Sequence, residues 1–399
     1  MKKNKRRLTK KVKNIVLMII LSFFVLSLSF FIQRKVNFKN IPVEVSYYTE
    51  SSLQVYTSSM GMVGDSLIHP AVYLAHKSGS GYDFSSMLAP TCEKFKKYDI
   101  AYYNQETMLG GTSLGLSGYP QFNSPQEVGE AFVNCGFDLV SLATNHSLDG
   151  IGYKGTKVID SSRTFWNQKE KESEEGLIAT GSWSSAEERE ETKILERNGI
   201  KYAFLSYTVQ TNGLNYPSGK DYVVNVYSNE KAKNDVEKYK PLVDCIIVAM
   251  HWGNEYVYEP NWQQKEIAKY LSDLGVNIIV GCHPHVIEPI DFVGDTLVIY
   301  SLGNFVSSQN EAPRLIGLLA DCVIRKEVYH GKTKIIISDV GAELLFTQKG
   351  SKYIVYPWDQ VTDSIYYTNY EMGSSKSYWG NYFKGIVQKY RSDINVRGV

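Results

Sequence analysis

The stretch VNIIVGCHPH, residues 276–285, joins an apolar, β-branched run to two histidines that are separated by one proline. The apolar run predicts a buried strand, and polar residues directly beyond it lie at the carboxyl end of that strand. In an extended backbone His283 and His285 point to the same side, and Pro284 stiffens the pair. Two imidazoles placed in this way can bind one metal ion or bridge two neighbouring ions.

Four other predicted strands also end in polar residues. Ligands of open α/β sheets gather beyond the carboxyl ends of the strands, so these residues are expected to share one site. The four sets are GD (64–65) after GMV, NQE (104–106) after YDIAYY, TNH (144–146) after DLVSLA, and HWG (251–253) after CIIVAM.

Short apolar runs alternate with helical patterns along the chain, which predicts an α/β fold built from parallel βαβ units. One predicted helix has Ser124 as its N-cap, Glu127 completing a capping box, and an end near Gly136. A second covers WQQKEIAKYLSDLG (262–275), and a surface helix is expected within 184–197. The predicted strands are Val55–Val63, Ile100–Tyr103, Leu139–Leu142, Tyr202–Ser206, Cys245–Met250, Asn277–Val280 and Leu297–Tyr300, and antiparallel strands are expected after Lys332.

The side-chain types at the predicted site suit a hard or borderline divalent metal. Asp65 and Glu106 would repel each other unless a cation lies between them, and Asn145 can supply an amide oxygen. His146 is adjacent to Asn145 and points elsewhere, where it can act as a general acid or orient a substrate oxyanion. A dinuclear centre of this kind hydrolyses phosphoesters.

The N-terminus predicts a membrane anchor. Eight Lys and Arg occur within the first thirteen residues, and an uncharged run follows from Ile15 to Ile32. Such a run just spans a hydrocarbon core, and its basic flank stays in the cytoplasm. A cleavable signal peptide is the rival interpretation, but no small-residue cleavage site follows. The expected order is a basic tail (1–13), a single transmembrane helix (14–33), a stalk (34–52), an extracellular domain (53–348) and a C-terminal extension (349–399).

Composition excludes some classes of function. The chain has 399 residues with 43 basic and 42 acidic side chains, so a general nucleic-acid binder is not expected. Its five cysteines show no CxxC spacing, which argues against a disulfide framework or a zinc knuckle. Buried free thiols are the expectation, although one disulfide is left open.

The motifs in this order resemble the CapA/PgsA family of bacterial poly-γ-glutamate capsule-synthesis proteins. The matching stretches are GMVGDSLIH, NQET, LATNHSLDGIGYKGT, AMHWGNEY, GCHPHVIEPI and IYSLGNFV. The resemblance implies a calcineurin-like metallophosphoesterase fold, an α/β/β/α sandwich. It also implies one or two divalent ions (Mn, Zn, Fe or Mg), with His146 as the acid-like residue and Asp65, Glu106, Asn145, His251, His283 and His285 as ligands.

The chain departs from the wider phosphoesterase pattern at two positions. That pattern has a histidine two residues after the first aspartate, where this chain has Leu67, and an aspartate where it has Glu106. His69 is expected either to substitute for the missing histidine or to face the cleft as a substrate contact. Three further residues are expected to orient a ligand or contact substrate: Glu255, Trp252, which is interpreted as a cleft wall, and Asn304.

Two readings of function follow from the same residues. In the first, the chain is a metal-dependent hydrolase or transferase that acts on an extracellular anionic polymer or on a phosphorylated, lipid-linked precursor. In the second, it is a non-catalytic accessory protein whose metal cleft holds poly-γ-glutamate during export. Either role predicts a protein of the cell membrane that works beside other membrane-bound capsule-synthesis subunits.

Overall fold

The computed structural model describes Asn14, Met18, Leu21, Ser22 and residues 53–399. None of the helices in this part of the chain could span a lipid bilayer. The predicted anchor (14–33) lies almost entirely outside the described residues, and the predicted basic tail (1–13) and stalk (34–52) lie wholly outside them. Residues 53–399 form one compact unit.

The described part contains a nine-stranded sheet, a six-stranded sheet and one short two-stranded hairpin. The strands are β1 Gln54–Ser66, β2 Lys77–Ser78, β3 Gly81–Tyr82, β4 Ile100–Gln105, β5 Leu139–Ser141, β6 Ile178–Thr180, β7 Leu195–Arg197, β8 Ile200–Thr208, β9 Cys245–His251, β10 Ile278–Cys282, β11 Ile290–Val293, β12 Thr296–Ile299, β13 Asn304–Val306, β14 Ile316–Tyr329, β15 Lys332–Gln348, β16 Ile354–Pro357 and β17 Asn395–Arg397.

Helices connect and cover these strands. They are α1 Pro70–Ala75, α2 Ser85–Phe95, α3 Glu127–Asn134, α4 Ile151–Lys154, α5 Lys157–Glu172, α6 Ala186–Glu190, α7 Asn229–Tyr239, α8 Trp262–Leu274, α9 Asp363–Tyr366 and α10 Lys376–Val387. The mixed α/β class is therefore confirmed.

The larger sheet has the order β16-β15-β14-β1-β4-β5-β6, with β13 beside β1 and β17 beside β15. Strands β1, β4, β5 and β6 run parallel, and β14 to β16 are antiparallel, as the alternating runs after Lys332 predict. The smaller sheet has the order β11-β12-β10-β9-β8-β7, with a parallel centre of β12, β10, β9 and β8.

Alternating side chains on each strand build three apolar layers. Tyr102 faces the core between the two sheets, whereas its neighbour Tyr103 faces α2 and α3 on the outside of the larger sheet. In the same way Ile247 faces inward and Val248 packs against α7 and α8. This alternation is the period of two that a strand requires. The result is four layers in the order helix, sheet, sheet, helix.

The sequence predicts the ends of one helix correctly and the N-terminal cap of another incorrectly. Helix α8 begins and ends as its sequence predicts, with Asn261 as N-cap and Gly275 in the left-handed region (φ 95°). Helix α3 begins at Glu127 without a side-chain cap, so the predicted capping box is wrong. The Ser124 hydroxyl instead donates to the Ile68 carbonyl and the Thr107 hydroxyl. Tertiary partners therefore outcompete the local cap.

One other segment is shorter as a helix than its pattern indicates. Within 184–197 the helix covers Ala186–Glu190, and Leu195–Arg197 forms strand β7. At the C-terminus α10 ends at Val387, and the chain then adds β17 in parallel to β15.

The cysteines divide into a bonded pair and three free thiols. Cys92 and Cys135 form a disulfide with their Cα atoms 4.9 Å apart, which is the single pairing that the sequence left open. Cys245, Cys282 and Cys322 are free and buried. Burial raises the pKa of the Cys282 thiol well above its ordinary value, which disfavours a nucleophilic role beside the site.

Candidate metal centre

The predicted ligands meet where the parallel strands of both sheets end. Asp65 lies near the end of β1, Glu106 directly follows β4, and Asn145 follows β5. From the smaller sheet, His251 ends β9, and the histidines of the HPH motif follow β10. All of these side chains are buried. The close packing of the two sheets therefore brings together residues that are far apart in sequence.

The titratable side chains form two overlapping groups. One contains Asp65, Glu106 and His285, and the other contains Glu106, His251 and His283. Within each group, one ligand atom from each residue lies within 4.8 Å of the others. Glu106 belongs to both, so its carboxylate lies between two potential ion positions.

The Glu106 carboxylate has no hydrogen-bond partner on either oxygen although it is buried. His285 Nε2 lies 3.6 Å and His251 Nε2 lies 3.9 Å from Glu106 Oε1. His283 Nδ1 is likewise buried without a partner. Leaving buried polar atoms unpaired costs free energy, and a cation bound between them would satisfy all three atoms. The residues present thus fit a divalent metal.

The buried carboxylates of the centre favour the binding of positive charge. Burial raises the pKa of Glu106 well above its ordinary value. Burial alone would lower the pKa of His285, but the carboxylates of Glu106 and Asp65 outweigh it and raise the pKa to about 9. A raised pKa of Glu106 places a proton on that carboxyl, whereas a raised pKa of His285 places it on the imidazole. Both directions share a cause, since two carboxylates buried close together favour added positive charge, whether it is a proton or a metal ion.

The other two histidines are held neutral, as metal ligands must be. Burial, followed by the charge of His285, lowers the pKa of His283 to about 4. Burial also lowers the pKa of His251 well below its ordinary value. A neutral imidazole can offer a lone pair to a metal ion, whereas a protonated one cannot.

Asp65 organises one half of the centre. It accepts hydrogen bonds from Asn104 Nδ2 (2.8 Å) and from the His283 backbone N–H (3.2 Å). His285 Nδ1 lies 3.1 Å from Asp65 and 2.9 Å from Asn304 Oδ1. Two oxygens at Nδ1 favour a proton on that nitrogen, which leaves Nε2 as the nitrogen that can bind a metal. Asn304 thus orients His285.

Asn145 contacts the other half of the centre. Its Oδ1 lies 2.9 Å from His251 Nε2, and its Nδ2 donates to Asn212 Oδ1. The predicted amide ligand therefore faces the histidine that ends β9.

The backbone of the HPH motif is not extended. His283 and His285 have φ angles of 99° and 57°, in the left-handed region that non-glycine residues seldom adopt. The premise that the two side chains align because the chain is extended is wrong. The loop nevertheless turns both rings inward, and their centroids are 6.0 Å apart. Strained backbone at such a site is typical of functional positions.

A cleft of about 430 Å³ opens beside the centre. It is lined by Leu67, His69, Tyr119, Pro120, Phe122, Asn145, His146, Asn212, Glu255, Tyr256, His285 and Gln309. His69 lies here and not in either ligand group, and its ring packs edge-on against Phe122. Burial lowers the pKa of His69 to about 4. The cleft position agrees with the second of the two alternatives expected for His69.

His146 faces the cleft and is held by a residue that the sequence interpretation missed. Its Nδ1 lies 2.7 Å from Asp149 Oδ2, and the same oxygen accepts from the Phe122 backbone N–H. Nε2 is then the nitrogen that can exchange a proton with a bound ligand. The sequence signal that could have identified Asp149 is its position three residues after His146 in the stretch NHSLD.

The remaining predictions near HWGNEY have mixed outcomes. Trp252 is fully buried between the smaller sheet and its helices, and its Nε1 donates to the Tyr300 carbonyl. Its interpretation as a cleft wall is therefore wrong. Glu255 is exposed at the cleft, where its charge helps to raise the pKa of His285. The adjacent aromatic side chain, Tyr256, lines the cleft and had been overlooked.

Comparisons with known proteins point to capsule synthesis. The family model described as "Bacterial capsule synthesis protein PGA_cap" matches residues 59–309. The chain is 32% identical over 180 residues to the PGA biosynthesis protein CapA of Bacillus subtilis (strain 168), covering 43% of each chain. It is 31% identical over 194 residues to the capsule biosynthesis protein CapA of Bacillus anthracis, covering 47% of this chain and 44% of that one. The matches thus span less than half of these relatives.

Among solved structures, the sulfate thiohydrolase SoxB of Termus thermophilus, in complex with glycerol, is similar over 84% of this chain and 61% of that one. The sequence identity is 10% and the TM-score is 0.37, which is too low to support a conclusion about function.

Proposed function

The chain belongs to the PGA_cap (CapA/PgsA) family of bacterial capsule-synthesis proteins, and on that premise we propose that it is a membrane-anchored, extracellular component of poly-γ-glutamate capsule synthesis or export that carries a metal-dependent phosphoesterase-like centre. The proposal adds two statements to family membership. The first concerns the chemistry of the metal centre, and the second concerns the side of the membrane on which the protein works.

The observation that carries the chemical part is the unpartnered Glu106 carboxylate between two sets of ligands. Asp65, Glu106 and His285 would hold one divalent ion, and Glu106, His251 and His283 would hold a second. Such ions supply positive charge that stabilises phosphoryl oxygens and makes a nearby water more acidic. The position of the centre at the strand ends, beside an open cleft, supports the expected metallophosphoesterase-like architecture.

The residues around the cleft can serve phosphoester hydrolysis. In that reaction a water oxygen forms a bond to phosphorus, the bond from phosphorus to the leaving oxygen breaks, and the water proton leaves to solvent. The leaving oxygen needs a proton, which His146 can donate because Asp149 holds its other nitrogen. Phe122 fixes this pair, since its N–H binds Asp149 and its ring packs against His146.

The disulfide supports the proposed extracellular location. Cys92 lies in α2 and Cys135 caps α3, so the bond ties two helices that cover the larger sheet. Disulfides persist outside the cytoplasm and are rare in reducing compartments. A basic N-terminal segment followed by an apolar run agrees with this orientation.

The test is metal-dependent hydrolysis by the full chain. We expect the purified protein, loaded with Mn²⁺, to hydrolyse bis(p-nitrophenyl) phosphate or p-nitrophenyl phosphate. His146→Ala should keep its metal and lose activity by about 10²–10⁴-fold, the usual contribution of a general acid. His283→Ala is the matched variant that should lose both metal and activity. Wild-type activity in His146→Ala would contradict the hydrolytic role.

A further inference from the structure

Tyr256 lines the cleft beside the metal centre and is held in place by its neighbours. The Arg314 guanidinium lies 3.4 Å from the ring centroid and covers one face of the ring. The His285 ring lies near the same tyrosine, with the two centroids 6.0 Å apart. The Tyr256 backbone N–H donates to the Pro284 carbonyl (2.7 Å), which ties the residue to the HPH motif. Because the ring is packed in this way, the hydroxyl is the part of Tyr256 that a ligand in the cleft can bind.

A network of two amides connects this hydroxyl to a proposed metal ligand. The Tyr256 oxygen accepts from Gln309 Nε2 (3.3 Å), and Gln309 Oε1 accepts from Asn304 Nδ2 (3.0 Å). Asn304 Oδ1 lies 2.9 Å from His285 Nδ1, and the Arg314 carbonyl accepts from Asn304 Nδ2 (2.9 Å), which fixes the orientation of that amide. The network uses the Tyr256 oxygen as an acceptor, so the hydroxyl hydrogen can be donated to a ligand.

The charges around Tyr256 keep the hydroxyl protonated. Burial and the charge of Glu255 raise the pKa of Tyr256 to about 12, and the Glu106 carboxylate adds to this rise. At neutral pH the group is therefore a neutral phenol, which donates a hydrogen bond to an anion and keeps its proton. Arg314 acts in the opposite direction on the pKa, because a cation on the ring draws electron density from the phenol and makes its O–H a stronger donor.

The backbone at Tyr256 is in a conformation that core packing does not explain. Its φ of 66° is unfavourable for a bulky side chain, and the residue is 38% exposed. Strain of this kind persists where surrounding contacts enforce it and is concentrated at active sites. Tyr256 thus combines strain and exposure with a tether to a proposed metal ligand, which is the combination expected of a functional residue.

We propose that the Tyr256 hydroxyl is a catalytic group that donates a hydrogen bond to a nonbridging oxygen of the phosphoryl group undergoing hydrolysis. The inference rests on the proposed phosphoester centre and adds a donor to it. In the transition state negative charge is spread over the nonbridging oxygens, and a donor that is already in position stabilises that charge. Tyr256 keeps its proton throughout, and His146 remains the residue that protonates the leaving oxygen.

Replacing Tyr256 by Phe removes the hydroxyl and keeps the ring against Arg314. The full chain, loaded with Mn²⁺, is assayed with p-nitrophenyl phosphate and with phenyl phosphate, whose leaving oxygen is more basic. We expect kcat to fall about 10–100-fold for both esters, as the loss of one positioned donor predicts, with the metal content of wild type. Tyr258→Phe is the matched control from the same loop. Its ring packs against Tyr382 and Phe383, and the variant should keep wild-type activity.

Orthovanadate gives a readout that does not depend on turnover. Its five-coordinate form resembles the transition state of phosphoryl transfer, so its affinity reports the interactions made there. Calorimetry should find that Tyr256→Phe binds orthovanadate more weakly by about the factor lost in kcat, and that the affinity for inorganic phosphate changes less. Equal affinity of the variant and wild type for orthovanadate would overturn the inference.

The two esters separate this inference from the proposed function. Wild-type kcat in Tyr256→Phe would overturn the role of the hydroxyl and leave the phosphoester centre standing. A larger loss with phenyl phosphate than with p-nitrophenyl phosphate would assign the hydroxyl to the leaving oxygen and overturn the role proposed here. Loss of metal from the variant would do the same by making its role structural. If wild type hydrolyses neither ester, the phosphoester centre fails and this inference fails with it.

Discussion

Replacing Glu106 by Gln should stabilise the metal-free protein and abolish its stabilisation by metal. Both Glu106 oxygens are buried without a hydrogen-bond partner, and burial raises the pKa of the carboxyl well above its ordinary value. An unsatisfied buried polar group costs roughly 1–3 kcal/mol, and a charged one costs more. In chelator at pH 10, where His285 (pKa about 9) is neutral and no longer offsets the Glu106 charge, Glu106→Gln should therefore have a free energy of unfolding about 1–3 kcal/mol above wild type.

Metal should reverse this order. A ligand at a thousand times its dissociation constant adds about 4 kcal/mol to the free energy of unfolding when it binds the folded state alone. Wild type should gain this amount, and Glu106→Gln should gain little because an amide oxygen is a weaker ligand than a carboxylate. Glu106→Gln is thus expected to have the higher free energy of unfolding without metal, and wild type is expected to have the higher one with metal.

Urea denaturation with chelator and with Mn²⁺, followed by tryptophan fluorescence, measures both quantities. Glu196→Gln, at an exposed position in β7, is the matched control and should behave as wild type in both buffers. A Glu106→Gln protein that is less stable than wild type without metal, or equally stabilised by metal, would refute the view that Glu106 is kept for a cation.

Three further predictions concern the centre and its surroundings. Without metal the pKa of His285 is about 9, and metal binding must release that proton. Metal affinity should therefore rise about tenfold per pH unit between pH 6 and 8 and level off near pH 9. Calorimetry that finds the metal affinity independent of pH would contradict this proton release. Asp149→Asn should lower turnover about 10–100-fold with metal content unchanged, since Asp149 positions His146; loss of metal would instead assign it to the centre. Thiol titration of the denatured, unreduced chain should count three thiols, because Cys92 and Cys135 are bonded, and five would refute the disulfide.

The strand ends were the part of the fold that sequence could predict. Continuous apolar, β-branched runs such as those of β9 and β10 have few alternatives, and polar residues just beyond them had to lie at one edge of the sheets. For that reason the sequence alone assigns Asp65, Glu106 and His283 to one place.

What could not be predicted depends on contacts between distant parts of the chain. The capping box at Ser124 failed because Ile68 and Thr107 compete for its hydroxyl. The Cys92–Cys135 bond requires α2 and α3 to be adjacent, which cysteine spacing does not encode. Trp252 has the sequence position of a cleft residue, but its side chain is buried in the apolar layer between the smaller sheet and its helices. Tyr256 is placed by an unusual backbone angle that no local pattern signals.

The metal content of the full chain tests the central claim most directly. Elemental mass spectrometry of the purified protein should find one or two equivalents of a divalent metal per chain. The His283→Ala/His285→Ala variant, purified in parallel, should have lost most of it. Absence of metal from wild type, even after incubation with Mn²⁺ or Zn²⁺, or equal metal in both proteins, would contradict a metal centre at the ends of β1, β4, β9 and β10.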